Sequence, residues 1–264
     1  MYPQQVTILN ATLDNLTLEE LLARFESGFL VTPNVDHLMK LQRDAHFYQC
    51  YQGADYTVCD SRLVYLLSRL MFPGTGLRAQ ITGSDFFPAF CDYHGQRPDG
   101  ARIFLLGGTE RSVAEAAERI NRRIGRDIVV GYYSPPFGFE KNAAETAGII
   151  GRVNASGADT LAVGVGAPKQ ECWIAAHREQ MPEVARFLAI GATIEFESGN
   201  LKRAPRWMTS MGIEWLFRLS QEPSRLSRRY LIEDMPFFWL LLKQRFGYYK
   251  NPMNGISGEQ RLNP

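Results

Sequence analysis

A largely parallel α/β sheet flanked by helices, with a helical appendage at the C-terminal end, is what three features of this 264-residue sequence predict. Short apolar runs rich in β-branched and aromatic residues recur along the first three quarters of the chain. Helix-length amphipathic segments separate them, the rhythm of strand and crossover helix. Beyond residue 200 the strand signal stops, and aromatic and arginine-rich helical stretches replace it.

The spacing predicts strands at 29–32, 56–59, 102–106, 128–132, 160–165 and 187–190, with helices at 17–26, 36–49, 62–72, 84–93, 109–124, 143–156 and 169–180. The first helix opens on Thr17-Leu-Glu-Glu20, a capping box in which hydroxyl and carboxylate satisfy free amides at the helix start. Tyr133-Ser-Pro-Pro-Phe-Gly138 reads as a surface loop, because two prolines remove donors and restrict φ; such a loop can close over a substrate. Two further helices are expected at 203–220 and 222–246. The resulting organisation is a Rossmann-like catalytic domain at 1–199, a basic, aromatic appendage at 200–250 and a disordered tail at 251–264.

A hydrophobic content of 45% supports one substantial core, and a formal net charge of +1 argues against a general nucleic-acid binder. Charge is uneven, however: residues 200–250 hold ten basic side chains against four acidic ones, so the rest of the chain is acidic. The second appendage helix carries Tyr230, Leu231, Phe237, Phe238, Leu241 and Leu242 among Arg228, Arg229, Lys243 and Arg245. That composition suits a helix lying on an anionic bilayer, and equally one packed on its own domain or on a second subunit. No apolar run reaches the roughly 20 residues that cross a bilayer. Cys50, Cys59, Cys91 and Cys172 lack the close paired spacing of a zinc site, so reduced thiols in a cytoplasmic protein are expected. His37, His46, His94 and His177 are isolated in sequence, and no metal or other cofactor is expected.

In open α/β sheets ligands bind beyond the carboxyl ends of the strands. The residues expected there are Thr32 and Asn34, Asp60, Gly107 and Gly108, and Gly164-Val-Gly-Ala-Pro-Lys-Gln-Glu171. Asp60 ends an apolar strand in Thr57-Val-Cys-Asp-Ser-Arg62 and is a candidate general base; an aspartate there also commonly caps the following helix. Thr32 and Asn34 can hydrogen-bond a sugar or serve as turn and cap residues. Gly107, Gly108, Gly164 and Gly166 let backbone amides approach an anion near a helix start, although neither pair completes a dinucleotide fingerprint or a Walker loop. Proline suits the first turn of the helix that follows, which directs Lys169, Gln170 and Glu171 toward the strand-end crevice. Arg78 can present a fork of donors to a diphosphate, or be a solvated surface charge. Downstream, Arg203, Arg218, Arg225 and Arg228 extend the run of candidate anion-binding arginines. An Asp-x-Asp triplet, which many sugar-nucleotide transferases use to hold a divalent cation, is not found.

With Thr32-Pro-Asn34, Asp60, Ile81-Thr-Gly-Ser-Asp85, Gly166-Ala-Pro-Lys-Gln-Glu171, Arg203-Ala-Pro205, Glu214-Trp-Leu-Phe-Arg218 and Glu222-Pro-Ser-Arg225 in this order, residues 30–230 resemble the WecG/TagA/CpsF family, glycosyltransferase family 26, of bacterial cell-surface polysaccharide synthesis. The resemblance implies an inverting, metal-independent transferase that moves a hexose-type sugar from a UDP-sugar donor to a polyprenyl-diphosphate-linked saccharide acceptor. It also implies a cytoplasmic protein held peripherally at the inner face of the cell membrane. On this sequence it places the general base at Asp60, its polar neighbours at Thr32 and Asn34, pocket positions at Arg78 and Gln170, and the appendage's basic residues at Arg218, Arg225 and Arg228. Two motifs depart: Cys59-Asp60-Ser61 replaces the usual Pro-Asp-Gly, and Phe196-Glu-Ser-Gly199, with Glu195 close by, replaces Phe-Asp-x-x-Ala-Gly. Donor identity therefore stays open, as does a homo-oligomeric state. A peripheral scaffold of a polysaccharide-assembly complex and a nucleotide-sugar-modifying enzyme are the competing readings, the latter opposed by the missing glycine fingerprint.

Overall fold

The structure, a computed structural model, describes residues 2–201, 204–205, 208, 214–221 and 223–255, without the side chains of 214, 215, 218, 221, 224–226 and 231. The six expected strands form as β3 Gly28–Val31, β4 Tyr56–Thr57, β5 Ile103–Gly107, β6 Val129–Tyr133, β7 Thr160–Gly164 and β8 Arg186–Ala189. They make one parallel sheet in the order β4-β3-β8-β7-β5-β6. A hairpin of β1 Gln5–Ile8 and β2 Ala11–Asp14 precedes it and was not predicted. Its turn at Leu9-Asn10 uses a leucine at φ 56° where a glycine would normally announce a hairpin. The Asp14 carboxylate accepts from the Thr57 amide at 2.8 Å, which attaches the hairpin to the β4 edge.

Alternation along the strands sends side chains to two covered faces. Phe29, Val31, Leu161, Val163, Phe187 and Ala189 enter one apolar cluster. It is closed by α2 Val35–Lys40, α3 Ala45–Gln52, α4 Arg62–Met71, α7 Ala143–Ser156 and α8 Lys169–His177. Leu30, Ala162 and Leu188 enter the other, beneath α1 Leu18–Arg24, α5 Gly83–Gly95, α6 Glu110–Ile124 and α9 Thr193–Ser198. Neighbouring strands β5 and β7 therefore lead to helices on opposite faces, α6 and α8. That divergence opens a crevice at their carboxyl ends.

The single helix expected at 36–49 is two helices. Asp44 caps α3 by accepting from the Phe47 amide at 2.9 Å, while the Leu41 carbonyl takes the Asn10 side-chain amide at 2.7 Å. Both local bonds compete with a continuous helical ladder. The expected 222–246 helix likewise divides into α11 Pro223–Arg228, a π-helical turn Arg229–Glu233 and α12 Pro236–Arg245, Pro236 taking the first turn of the last. Before them α10 spans Glu214–Gln221. Helix α12 docks on the domain: Phe237 and Leu241 are buried in the first cluster, worth roughly 1.5–3 kcal/mol each. Gln244 adds polar ties to the hairpin turn, accepting from the Leu9 amide and donating to the Thr7 carbonyl, both at 2.8 Å. The region expected as a tail is described only to Gly255; 256–264 lies outside the described residues.

Candidate active site

The carboxyl ends of β3 and β4 bring Thr32, Asn34 and Asp60 together. The Asp60 amide donates to the Pro33 carbonyl at 3.0 Å, and its carbonyl accepts from the Gln80 side chain at 2.7 Å. Its carboxylate accepts from the Gly83 amide at 3.3 Å. Gly83 is the first residue of the 13-residue α5, so Asp60 faces a helix start whose amides and dipole suit an anion. The side chain is half-buried, neither lost in hydrocarbon nor fully solvated. Asn34 caps α2 by accepting from the His37 amide at 3.1 Å, and Thr32 is half-buried beside it.

At the ends of β5, β7 and β8 the site is made by backbone. A Cβ on Gly107 would lie 2.5 Å from the Gly164 carbonyl oxygen, and one on Gly164 would lie 2.6 Å from that of Gly191. No side chain fits at Gly107 or Gly164, so these strand ends pack backbone against backbone in one row. Gln170 staples the row from below. Its buried Oε1 accepts from the Gly166 and Gly191 amides, each at 3.1 Å, and its Nε2 donates to Glu171 at 2.8 Å. Gln170 thus positions the strand-end loops through its side chain.

A lip forms around Gly108. Ser134, in the proline loop after β6, donates to the Gly108 carbonyl at 2.7 Å, and Ser112 donates to Glu195 at 2.6 Å. Phe137 at the tip of that loop is 98% exposed, and the Lys169 ammonium sits 4.9 Å from its ring centre. Glu195, the carboxylate next to the altered Phe196-Glu-Ser-Gly199 motif, lies against Gly108.

A buried polar network below Asn34 was not legible in the sequence. Arg229 reaches from the π-helical turn to Asn34 Oδ1 at 3.4 Å and to the carboxylates of Asp36 at 3.5 Å and Asp234 at 3.8 Å. Lys40 pairs with Asp36 at 2.6 Å, and His37 Nδ1 meets the Tyr51 hydroxyl at 2.5 Å. Burial works against the Asp36 anion, yet Arg229 and Lys40 together hold its carboxyl below the ordinary range. Burial lowers the His37 imidazole to about 3, so it is neutral at any working pH, and pushes Asp234 up to about 6. Glu171, with no exposed surface, is pushed up to about 7 by burial.

The remaining candidates are dispersed. The Arg78 guanidinium holds Glu20, the acidic member of the first capping box, at 2.8 Å. Exposed Arg228 pairs with Glu233 at 3.3 Å. Arg203 and the side chains of Arg218 and Arg225 lie outside the described residues. Two site residues escaped the sequence reading. Gly191 immediately follows a predicted strand, so reading every post-strand position would have found it. Arg229 sits beside Arg228 in a basic run, and only the π-helical turn distinguishes them.

A parallel sheet with a carboxylate and closely packed glycine turns at its strand ends defines an α/β protein suited to a polar, oxygen-rich ligand. Residues 6–251 match the family model described as Glycosyl transferase WecG/TagA/CpsF family, and the chain belongs to that family. It is therefore a glycosyltransferase of polysaccharide synthesis. Among the described residues, no helix is long and apolar enough to cross a membrane.

Proposed function

We propose that this chain transfers a hexose-type sugar, with inversion, from a UDP-sugar to a polyprenyl-diphosphate-linked saccharide at the cytoplasmic face of the membrane, without a divalent cation on the diphosphate. The placement of Asp60 carries this reading: a half-buried residue beyond β3 and β4 whose backbone is held by Pro33 and the Gln80 side chain and whose carboxylate accepts from the Gly83 amide. In the reaction an acceptor hydroxyl gives its proton to Asp60 as its oxygen bonds the anomeric carbon. The bond to UDP breaks on the opposite sugar face, and its electron pair leaves on the β-phosphate oxygen. Charge develops there as the sugar becomes oxocarbenium-like. The glycine turns at Gly107, Gly108 and Gly164, with Lys169, suit that developing charge. Arg203, Arg218, Arg225 and Arg228 of the appendage at 200–250 complete its neutralisation. The family resemblance and the missing Asp-x-Asp triplet support a departure without metal.

The two faces of α12 support membrane association. Phe237 and Leu241 point into the domain, while Phe238, Trp239, Leu242 and the following Phe246 stay exposed, with Lys243 beside Trp239 and Arg245 near them. An apolar row with flanking cations suits an anionic lipid surface.

A panel of UDP-sugars assayed with a polyprenyl-diphosphate saccharide, in chelator, tests the reading. One donor is expected to be turned over, and the Asp60→Asn variant is expected to bind UDP yet transfer at least about a hundredfold more slowly. Full activity of that variant removes Asp60 from the base role; activity only with added magnesium overturns the metal-free departure. Loss of liposome flotation in Trp239→Glu is expected, and unchanged flotation sinks the membrane assignment.

A further inference from the structure

Histidine 46 and two cysteines 122 residues apart in sequence meet where α3 packs on α8. His46 and Cys50 stand one turn apart on α3, so both face the same way. Cys172 comes from α8, two residues after Gln170. The two sulfurs lie 2.7 Å apart, His46 Nε2 lies 3.9 Å from Cys50 Sγ, and all three atoms fall within 4.8 Å of one another. Among the described residues, this is the one cluster of three such groups. Cys50 is buried, Cys172 half-buried and His46 exposed, so the cluster runs from the interior to solvent. Cys59 and Cys91, by contrast, are buried in the two apolar clusters.

We propose that His46, Cys50 and Cys172 bind a zinc ion that staples α3 to α8. Two thiolates and an imidazole are a borderline-soft donor set that prefers zinc to magnesium or calcium. With zinc–sulfur bonds of about 2.3 Å, a tetrahedral ion holds its sulfurs roughly 3.8 Å apart, so binding needs the two helices to part by about an ångström. The fourth position opens on the solvent side, beside exposed His46, and takes a water. Binding releases the thiol protons of Cys50 and Cys172, so affinity rises with pH. A disulfide between Cys50 and Cys172 would leave the imidazole beside them without a role. This site is separate from the diphosphate chemistry proposed above, and its test does not depend on transfer activity.

Cobalt titration of the reduced full-length protein is the direct test. One equivalent is expected to give a thiolate-to-cobalt charge-transfer band with the visible bands of tetrahedral coordination, bleached by one equivalent of zinc. Cys50→Ser and Cys172→Ser are expected to abolish the band, and His46→Ala to weaken cobalt binding at least tenfold. If the cysteine variants fail to fold, the unaltered chain serves: zinc is expected to slow alkylation of Cys172 by iodoacetamide at least tenfold. No cobalt band in reduced protein, a band that survives the double cysteine variant, alkylation unaffected by zinc, or a Cys50–Cys172 disulfide that forms equally fast with zinc present would each overturn the proposal.

Discussion

The ends of β3 and β4 and the ends of β5, β7 and β8 lie along one edge of one sheet, yet they are built from different materials. The first pair offers side chains: Thr32, Asn34 and Asp60, the last two bonded to helix-start amides. The second set offers almost none, because Gly107 and Gly164 lie too close to the next carbonyl for a Cβ, and Gln170 spends its carboxamide holding the Gly166 and Gly191 amides. A polar side chain at a strand end can change without moving the strand. A glycine wedged against a neighbour's carbonyl cannot. Chemistry and fold are thus expected to separate along this edge.

The largest effect expected is at Asp60. The Asn variant keeps an acceptor for the Gly83 amide but cannot take a proton, so transfer should fall about a hundred- to ten-thousand-fold with thermal unfolding nearly unchanged; steady-state rates and a melting curve on the same preparation check both halves. Gly164→Ala inverts the pattern. Its Cβ meets the Gly191 carbonyl oxygen at 2.6 Å, and stability is expected to fall by about 1–3 kcal/mol in urea unfolding. A Gly164→Ala protein as stable as the parent would break the comparison.

Gln170→Ala is expected to leave the Gly166 and Gly191 amides without their shared acceptor, costing about 1–3 kcal/mol and raising KM for the donor more than it lowers kcat. A Gln170 variant that lost kcat alone would move this residue to the side-chain half. A smaller effect concerns pH. His37 is neutral in the fold down to about 3 but protonates near 6.5 when unfolded, so its contribution is complete above about 6.5 and is lost as pH falls toward about 3. The slope should approach 1.4 kcal/mol per pH unit in that window and flatten in His37→Asn, measured by urea unfolding across pH. Least of all, Arg78→Ala should barely move the melting temperature, since its partner Glu20 is solvent-accessible. A tenfold rise in donor KM in that variant would show that Arg78 exchanges Glu20 for the diphosphate.

Legibility followed the same division. Gly107, Gly164 and Asp60 stood out because an apolar run that ends in a glycine or a carboxylate is a local pattern, and six apolar runs marked six strands. The β1–β2 hairpin did not, its turn lacking glycine; nor did the break between α2 and α3, made by Asp44 and by a hydrogen bond from distant Asn10. Arg78 read as an anion-binding candidate because nothing nearby in sequence announced Glu20, 58 residues away, as its partner. The cysteines were read by spacing alone, and spacing cannot show two helices delivering sulfurs to one point.

Local chemistry alone therefore determined the parallel α/β class and marked the strand ends, with Asp60, as the candidate site, because periodicity and post-strand residues depend only on near neighbours. The tertiary structure decided the rest. It chose which strand ends touch, gave Gln170 its two amides, carried Arg229 across 195 residues to Asn34, and set His46 beside Cys50 and Cys172. Those outcomes depend on sheet order and helix packing, and contacts between residues distant in sequence exist only after the core has closed.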